Sequence, residues 1–341
     1  MVLKELIIDD YGMNLHKVSE RLVLKKQGKV VEEHAIKELQ DLIISNKCGM
    51  VSISLLQELI ENGTQVHFVD FKEEPFSTLY TPAHHGSVKA RREQLRGYHD
   101  ERGIELSKEI LTAKVQNQIN TIKYFLKSRK ELPIADDLRS QTEYMKMYIQ
   151  RIKEVEGVSI ENVRSQIISA EAHAAKHYWK AVKIILAEKG IEFPGRAWHL
   201  QDPVNMMLNY GYAILRSRVT SAIIRAGLET YAGFFHVDRS GRISFVLDVM
   251  EIFRPSIVDR PIISLITRGH KPGTEEKEDG STFLDNKTLK LLREYINERL
   301  ESKEEFKGND YHLRTIIQLQ ARSIATFFRE GKRFKGYISR W

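Results

Sequence analysis

The segment GFFHVDRSGRISFVLDVMEIFRP, residues 233–255, places a histidine and two acids inside stretches that otherwise read as core. His236 follows two phenylalanines, and Asp248 and Glu251 interrupt the apolar run FVLDVMEIF. Burying a carboxylate without a partner costs several kcal/mol, so these groups need cations, hydrogen bonds or a cavity. Spacing of i, i+3 puts Asp248 and Glu251 on one face of a helix, whereas a strand would send them to opposite faces. The spacing therefore predicts a helix beginning near Val246, after a short extended RISF.

A second anomaly lies upstream. The stripe Val163, Ile167, Glu171, Ala174, Tyr178, Val182 recurs at helical spacing, and Glu171 takes a core-facing slot in it. A buried ion pair would explain Glu171 alone, and a satisfied structural histidine would explain His236 alone. Taken together, Glu171, His236 and Glu251 with Asp248 beside them make a mixed nitrogen and oxygen donor set. Such a set suits Mn²⁺ or Mg²⁺, with imidazole leaning toward manganese, and the lack of thiolates argues against a structural zinc site. A divalent ion would also neutralise acids that could not otherwise be packed together.

Two other patterns have chemical content. His173 and His177, at i and i+4 on one helix, have a zinc-gripping spacing, but the glutamate of an HExxH motif is missing and no third ligand stands out. Asn205, Asn209, Tyr212 and Arg216 recur on one face opposite Met207, Leu208, Leu215 and Ile223. They suit phosphate contacts or bridges between helices, the latter being the expected role of Asn209.

These side chains need elements to position them. Residues 1–80 read as β-rich, with the runs KELIID, NLHKV, RLVLKK, KVVEEH, DLIIS and QVHFVDF, a Gln27-Gly28 hairpin turn, and one short helix closed by Gly63. From Lys89 onward 3.6-residue patterns dominate, predicting helices near 91–128, 136–155, 159–189, 203–226, 246–253, 256–267, 285–302 and 310–330. The expected organisation is α+β: a small β-rich domain over 1–80, a linker over 81–90, and a larger all-α domain over 91–341 that holds the candidate metal-binding residues. The charged loop 268–281 lacks a Gly-Lys-Ser/Thr ending, which excludes a phosphate-cradling nucleotide loop.

With 341 residues and 42% hydrophobic content, the chain can build more than one core. No apolar run is long enough to span a bilayer, and the start lacks the features of a secretory signal, so a cytoplasmic protein without a membrane partner is expected. Cys48 is the single cysteine, which excludes an internal disulfide. The net charge is +7, and residues 311–341 hold seven Lys/Arg against Glu330 alone. That tail interleaves its cations with Phe327, Phe328, Phe334, Tyr337 and Trp341, a composition suited either to nucleic acid or to a solvated helix face with a frayed end.

The blocks AEAHAAKHYW (170–179), DPVNMMLNYGYAIL (202–215), GLETYAGFFHVDRSGRISFVLDVMEIFRP (227–255) and VDRP (258–261) resemble the CRISPR-associated protein one family, an adaptation integrase and metal-dependent DNA endonuclease. The resemblance extends over essentially the whole chain. It implies one metal site per active subunit, held by Glu171, His236 and Glu251, with Asp248 as a neighbouring acid. Two departures leave the ligands in place: Ala172 stands where glycine is common, and GLET replaces a common Gly-Leu-Asp-Pro. A third touches a ligand, because Glu251 fills a slot where some members carry Asp. The resemblance further implies insertion of short captured DNA fragments into a CRISPR array by 3′-OH attack on a phosphodiester. Its implied partners are double-stranded and branched DNA, a second copy of the chain, and a small ferredoxin-like CRISPR-associated nuclease. Arg254 is expected to fix Glu251 or touch phosphate, and Asn205, Tyr212, Arg216, Arg322, Lys332 and Arg333 to contact DNA. A structure-selective repair endonuclease and a DNA-binding scaffold with a structural metal are the competing expectations.

Overall fold

Alternating apolar residues in the first part of the chain build strands, and the computed structural model describes residues 4–70, 75–79, 87–276 and 281–340. The chain divides into two compact units, residues 1–85 and 86–341. In the first, Lys4–Ile8 (β1), Leu39–Ser45 (β5), Gln65–Val69 (β7) and Pro75–Leu79 (β8) form one sheet in the order β1-β5-β7-β8. Asn14–Val18 (β2), Arg21–Lys26 (β3), Lys29–Ala35 (β4) and Met50–Val51 (β6) form a second, ordered β4-β3-β2-β6. Gln27 and Gly28 both take positive φ, as a two-residue turn matching the twist of β3 and β4 demands. Helix Ile53–Glu61 (α1) buries Leu55 and Leu59 against a core that includes Leu15, Leu22, Leu42 and Val66.

The second unit is mostly helical. Its helices are Ser87–Gly97 (α2), Glu101–Leu126 (α3), Ile134–Glu154 (α4), Ile160–Ala187 (α5), Pro203–Arg225 (α6), Ser244–Met250 (α7), Arg260–Thr267 (α8), Asn286–Glu301 (α9) and Leu313–Glu330 (α10). The single helix expected over 91–128 is two, because Asp100 is extended and caps α3 by accepting from the Arg102 amide at 2.9 Å. Most of the expected linker, 81–90, lies outside the described residues, while 87–90 already form the start of α2. Two small hairpins went unforeseen: Thr274–Glu276 (β9) with Thr282–Leu284 (β10), and Lys303–Phe306 (β11) with Asn309–His312 (β12). Their strands are three or four residues long, too short for an alternating pattern to register. No helix among the described residues is long and apolar enough to cross a membrane.

Two features position the chemistry. Helix α6 is buried nearly all round, and its Gly211 admits the chain 258–262: a Cβ there would lie 2.6 Å from Val258 Cγ1. Between α7 and α8 the chain does not stop but widens into a π-helical turn, Arg254–Asp259. Pro255 and Pro261 have no amide hydrogen to donate, so a regular α ladder cannot run through this stretch.

After α10, Gly331 takes φ 67° and the chain turns back along α3. Asn117 donates to the carbonyls of Ile252 and Tyr337 at 2.7 and 2.9 Å, and accepts from the Ser339 amide at 2.8 Å. Phe334 and Tyr337 are buried, as are Phe327 and Phe328. These four aromatic residues therefore belong to the core, which corrects both the stacking-surface and the frayed-end readings for them; Trp341 lies outside the described residues.

Candidate active site

Four segments of the second unit converge on one polar cluster. Helix α5 brings Glu171, the end of α7 brings Glu251, the loop before α7 brings His236, and α3 brings Lys114. Lys114 Nζ lies 2.6 Å from Glu171 Oε1 and 2.6 Å from Glu251 Oε2. Arg254 Nη1 lies 2.7 Å from the other Glu251 oxygen. The contact with Oε2 is an ion pair in a direction poor for hydrogen bonding, so this buried oxygen has a charge partner but accepts no hydrogen bond.

Electrostatics follow from that geometry. Burial pushes the Glu251 carboxyl up, but Arg254, Lys114 and His236 outweigh it and hold the group down at about 2. For Lys114 burial works against the charge, and the carboxylates of Glu171 and Glu251 overcome it and raise the ammonium. Lys114 thus ties Glu171 to Glu251, and His236 acts on Glu251 through space.

Asp248 is occupied differently. Completely buried, it accepts from the amides of Phe234 at 2.5 Å and His236 at 3.0 Å, and its Oδ1 lies 2.7 Å from His236 Nδ1. Burial raises its carboxyl against the opposing pull of His236 and the two amides. With Nδ1 pinned, Nε2 is the imidazole nitrogen left for another ligand, the arrangement in which a carboxylate orients a metal-binding histidine. Gly233 makes this loop possible, since a Cβ would stand 2.7 Å from Ser244 Cβ and 2.9 Å from the His236 carbonyl oxygen. Asp248→Asn is expected to lower divalent-ion affinity and activity about 10- to 100-fold, through misorientation of His236. Calorimetric titration with Mn²⁺ checks it, and an unchanged affinity would remove Asp248 from this role.

Behind the cluster lies a buried phenol–carboxylate network. Tyr178 and Tyr212 donate to the two oxygens of Asp259 at 2.8 and 2.6 Å. The guanidinium of Arg254 stands 4.8 Å from the centre of the Tyr212 ring, and that of Arg196 5.3 Å from it. Asp259 therefore holds the ring on which Arg254 rests, and Arg254 in turn holds Glu251. Burial pushes the Asp259 carboxyl up to about 6, against the two phenols, Arg254 and Arg196. A folded-state value above the unfolded one gives stability that is full below about pH 4 and lost as pH rises through about 6. That component, on the order of 3 kcal/mol, should disappear from the difference between pH 4 and pH 6.5 unfolding midpoints in Asp259→Asn.

The remaining expected residues fall in several places. Asn205 is fully buried; it accepts from Arg196 and the Ala197 amide and donates to Asp202 and the Gly195 carbonyl. Tyr212 is buried with its hydroxyl committed to Asp259. Neither presents a group to a DNA backbone, which corrects that expectation for both. Asn209 bridges within the unit, accepting from Arg196 at 2.7 Å and donating to the Trp198 carbonyl at 2.9 Å. Arg216 is half-buried, Arg254 is 26% exposed at its side chain, and Arg322, Lys332 and Arg333 are exposed. His173 and His177 stack on Tyr148 and Tyr144 of α4, with centroids 5.4 and 4.7 Å apart, so this pair packs two helices together. Among the described residues, a cleft of about 610 Å³ is lined by Arg268, His270, Lys287 and Lys290 with Glu294.

The sequence reading missed Lys114. Lys114, Asn117 and Thr121 form a polar stripe at i, i+3 and i+7, but α3 carries many other polar residues, so nothing in its pattern singled this stripe out. Thr121 donates to the Pro255 carbonyl at 3.2 Å and Asn117 to that of Ile252, so the stripe tracks the chain that carries Glu251 and Arg254.

The donor chemistry fits a hard or borderline divalent ion: two carboxylates, an imidazole with one nitrogen already oriented, and a buried carboxylate oxygen that accepts no hydrogen bond. As the side chains stand, no three of His, Cys, Asp and Glu among the described residues surround a common ion position. The position between Glu171 and Glu251 is taken by the Lys114 ammonium.

A β-rich unit followed by a mostly helical one, with carboxylates, imidazole, lysine and arginine gathered near the end of α7, defines a protein of two compact units with a polar, charge-compensated cluster in the second. The sequence model of the family described as CRISPR associated protein Cas1 matches residues 6–298. The chain is 35% identical over 346 residues to the CRISPR-associated endonuclease Cas1 1 of Archaeoglobus fulgidus, covering 98% of this chain and 99% of that relative. The chain belongs to the CRISPR associated protein Cas1 family. Among solved structures, a casposase bound to integration product shares the fold with a TM-score of 0.79 at 22% identity, covering 98% of this chain and 92% of that one. A chain of a Cas6-RT-Cas1–Cas2 complex shares it with a TM-score of 0.77 at 19% identity, over 98% of this chain and 36% of that one.

Proposed function

We propose that this protein is a metal-dependent DNA endonuclease and strand-transferring integrase of CRISPR adaptation, inserting short DNA fragments into a repeat array. The observation that carries the reading is the pair Glu171 and Glu251 held on one cation position, with His236, oriented by Asp248, acting on Glu251 through space, in a chain of this family. These three side chains would hold Mn²⁺ or Mg²⁺. When bound, the ion supplies Lewis-acid polarisation of a phosphodiester oxygen and stabilises charge on the attacking or leaving oxygen. Asp248 holds the imidazole in one tautomer, and Arg254 fixes Glu251 while its partly exposed guanidinium adds positive charge beside an incoming phosphate. Attack by water gives a nick, and attack by a DNA 3′-hydroxyl gives strand transfer with the number of phosphodiester bonds unchanged.

DNA is the substrate in this reading, supported by the relative named an endonuclease and the casposase solved with an integration product. Arg322, Lys332, Arg333 and the cleft lined by Arg268, Lys287 and Lys290 would supply sequence-tolerant backbone contacts. The neighbour solved within a Cas1–Cas2 complex supports a small Cas2 partner. The β-rich unit would pair two copies of the chain, so that two sites face two fragment ends. The cytoplasm, where the array lies, is the compartment that fits.

The test combines the purified protein and its Cas2 partner with Mn²⁺ or Mg²⁺, a labelled fragment bearing 3′-hydroxyls, and a repeat-containing target. Joined products are expected. Shortened strands without joining would favour a structure-selective repair endonuclease instead. Binding with neither product would leave a DNA-binding scaffold with a structural metal.

A further inference from the structure

Lys114 is the member of the cluster that neither the donor set nor the phosphate contacts account for. Its stem comes from the middle of α3, and its side chain is 13% exposed. The helix is fastened to the Glu251-bearing segment through Asn117 and Thr121, so the Lys114 backbone is fixed relative to that segment. The ammonium is not at the rim of the pair; it stands at 2.6 Å from an oxygen of each. The charged groups facing it are Glu171 from α5, Glu251 from the end of α7, and Arg254 from the turn beyond. Two carboxylates are thus met by two cationic side chains, and the cluster is neutral without any inorganic ion.

An ion ligated by oxygens of both carboxylates, at the roughly 2.0–2.6 Å typical of Mg²⁺ and Ca²⁺ ligation, would need the space the ammonium fills. Adding two positive charges beside both Lys114 and Arg254 would also leave an uncompensated excess in a buried place. Of the two cations, lysine has the flexible four-carbon stem and the compact head that can swing away. Arg254 is braced by the Tyr212 ring.

We propose that Lys114 is a resident counter-ion that exchanges with the catalytic divalent cation, keeping the metal-free site assembled and setting a lower apparent metal affinity than the donors alone would give. This rests on the reading of Glu171, His236 and Glu251 as the metal-holding residues. If Lys114 occupies the gap nine-tenths of the time or more, the apparent dissociation constant is raised about tenfold or more relative to an unblocked site. Lys114 is in this sense a positioning residue for the carboxylates, and metal entry releases its ammonium from them.

The experiment measures Mn²⁺ binding by calorimetry and unfolding temperature with and without Mn²⁺, for wild type, Lys114→Met, Lys114→Gln and Glu171→Gln. Lys114→Met is expected to unfold at a lower temperature than wild type without metal, to bind Mn²⁺ about tenfold tighter, and to gain more from Mn²⁺ in unfolding temperature. Lys114→Gln keeps a polar head and should move the same quantities in the same direction, should Lys114→Met fail to fold without metal. Equal or weaker Mn²⁺ binding in both lysine variants overturns the exchange while leaving the metal-holding assignment standing. A wild type that takes no Mn²⁺, or a Glu171→Gln variant that binds it as well as wild type, overturns the assignment and the exchange with it.

Discussion

Glu251→Gln should reduce both cleavage and strand joining by about a thousandfold or more, in a protein that still folds. The carboxylate is 3% exposed and meets Arg254 on one oxygen and Lys114 on the other. Glutamine keeps the shape but removes the charge, so the proposed ion loses an anionic ligand where cationic neighbours already crowd it. Metal-free stability should fall as well, because Lys114 and Arg254 then have only Glu171 between them; breaking a buried pair costs about 3–5 kcal/mol. Single-turnover assays at saturating Mn²⁺, beside circular dichroism and thermal unfolding, separate the two effects. Activity within tenfold of wild type in a folded variant would remove Glu251 from the chemistry and take the proposed site with it.

Asp248 and Glu251 are buried for two different reasons, because they do different work. The i, i+3 spacing predicts one helix face; Asp248 lies within α7, which starts at Ser244 and not near Val246 after an extended RISF, and Glu251 is the residue that caps its end. The spacing could not say that Asp248 would spend its oxygens on two loop amides and an imidazole while Glu251 met only side-chain cations. That division depends on the 233–236 loop folding back onto the start of α7, a contact made by Gly233 against Ser244. Periodicity reads which face a residue occupies; it does not read which loop returns to that face.

Long helices were legible for the same reason, since Val163, Ile167, Ala174, Tyr178 and Val182 announce α5 whatever packs against it. Lys114 and Asp259 were not. Each looks like an ordinary polar residue on its own element, and its meaning comes from partners 57 and 47 residues away, Glu171 and Tyr212. Asn205 shows the converse error. Its helical spacing with Tyr212 left phosphate contact and bridging within the bundle both open, and Arg196, Asp202 and Gly195 consume it from a loop whose course nothing in the repeat pattern specified.

The basic tail carries the second large expectation, and it concerns stability. Glu304 on β11 is 9% exposed at its side chain, and Arg299, Arg260, the Tyr337 hydroxyl and the Arg340 amide all donate to it. Burial pushes its carboxyl up, but Arg299 and the Tyr337 hydroxyl prevail and hold it low. Arg260 and Arg299 are 13% and 14% exposed, so removing the carboxylate strands two largely buried guanidiniums beside each other. Glu304→Ala is therefore expected to cost about 3–5 kcal/mol, a fall in unfolding temperature on the order of 10 °C. The C-terminal segment should loosen with it, since Tyr337 and Arg340 lose their anchor while Asn117 and Gln320 still grip the backbone. Hydrogen exchange across 332–340 reads that loosening directly. The contrasting variant replaces the exposed Lys332 and Arg333 with alanine, which should leave the unfolding temperature unchanged and flatten the salt dependence of DNA binding. Unaltered stability in Glu304→Ala would return the tail to the surface and reopen its aromatic residues to a stacking role; a cooperative loss of stability fixes them as core, with only the outward cations left for DNA.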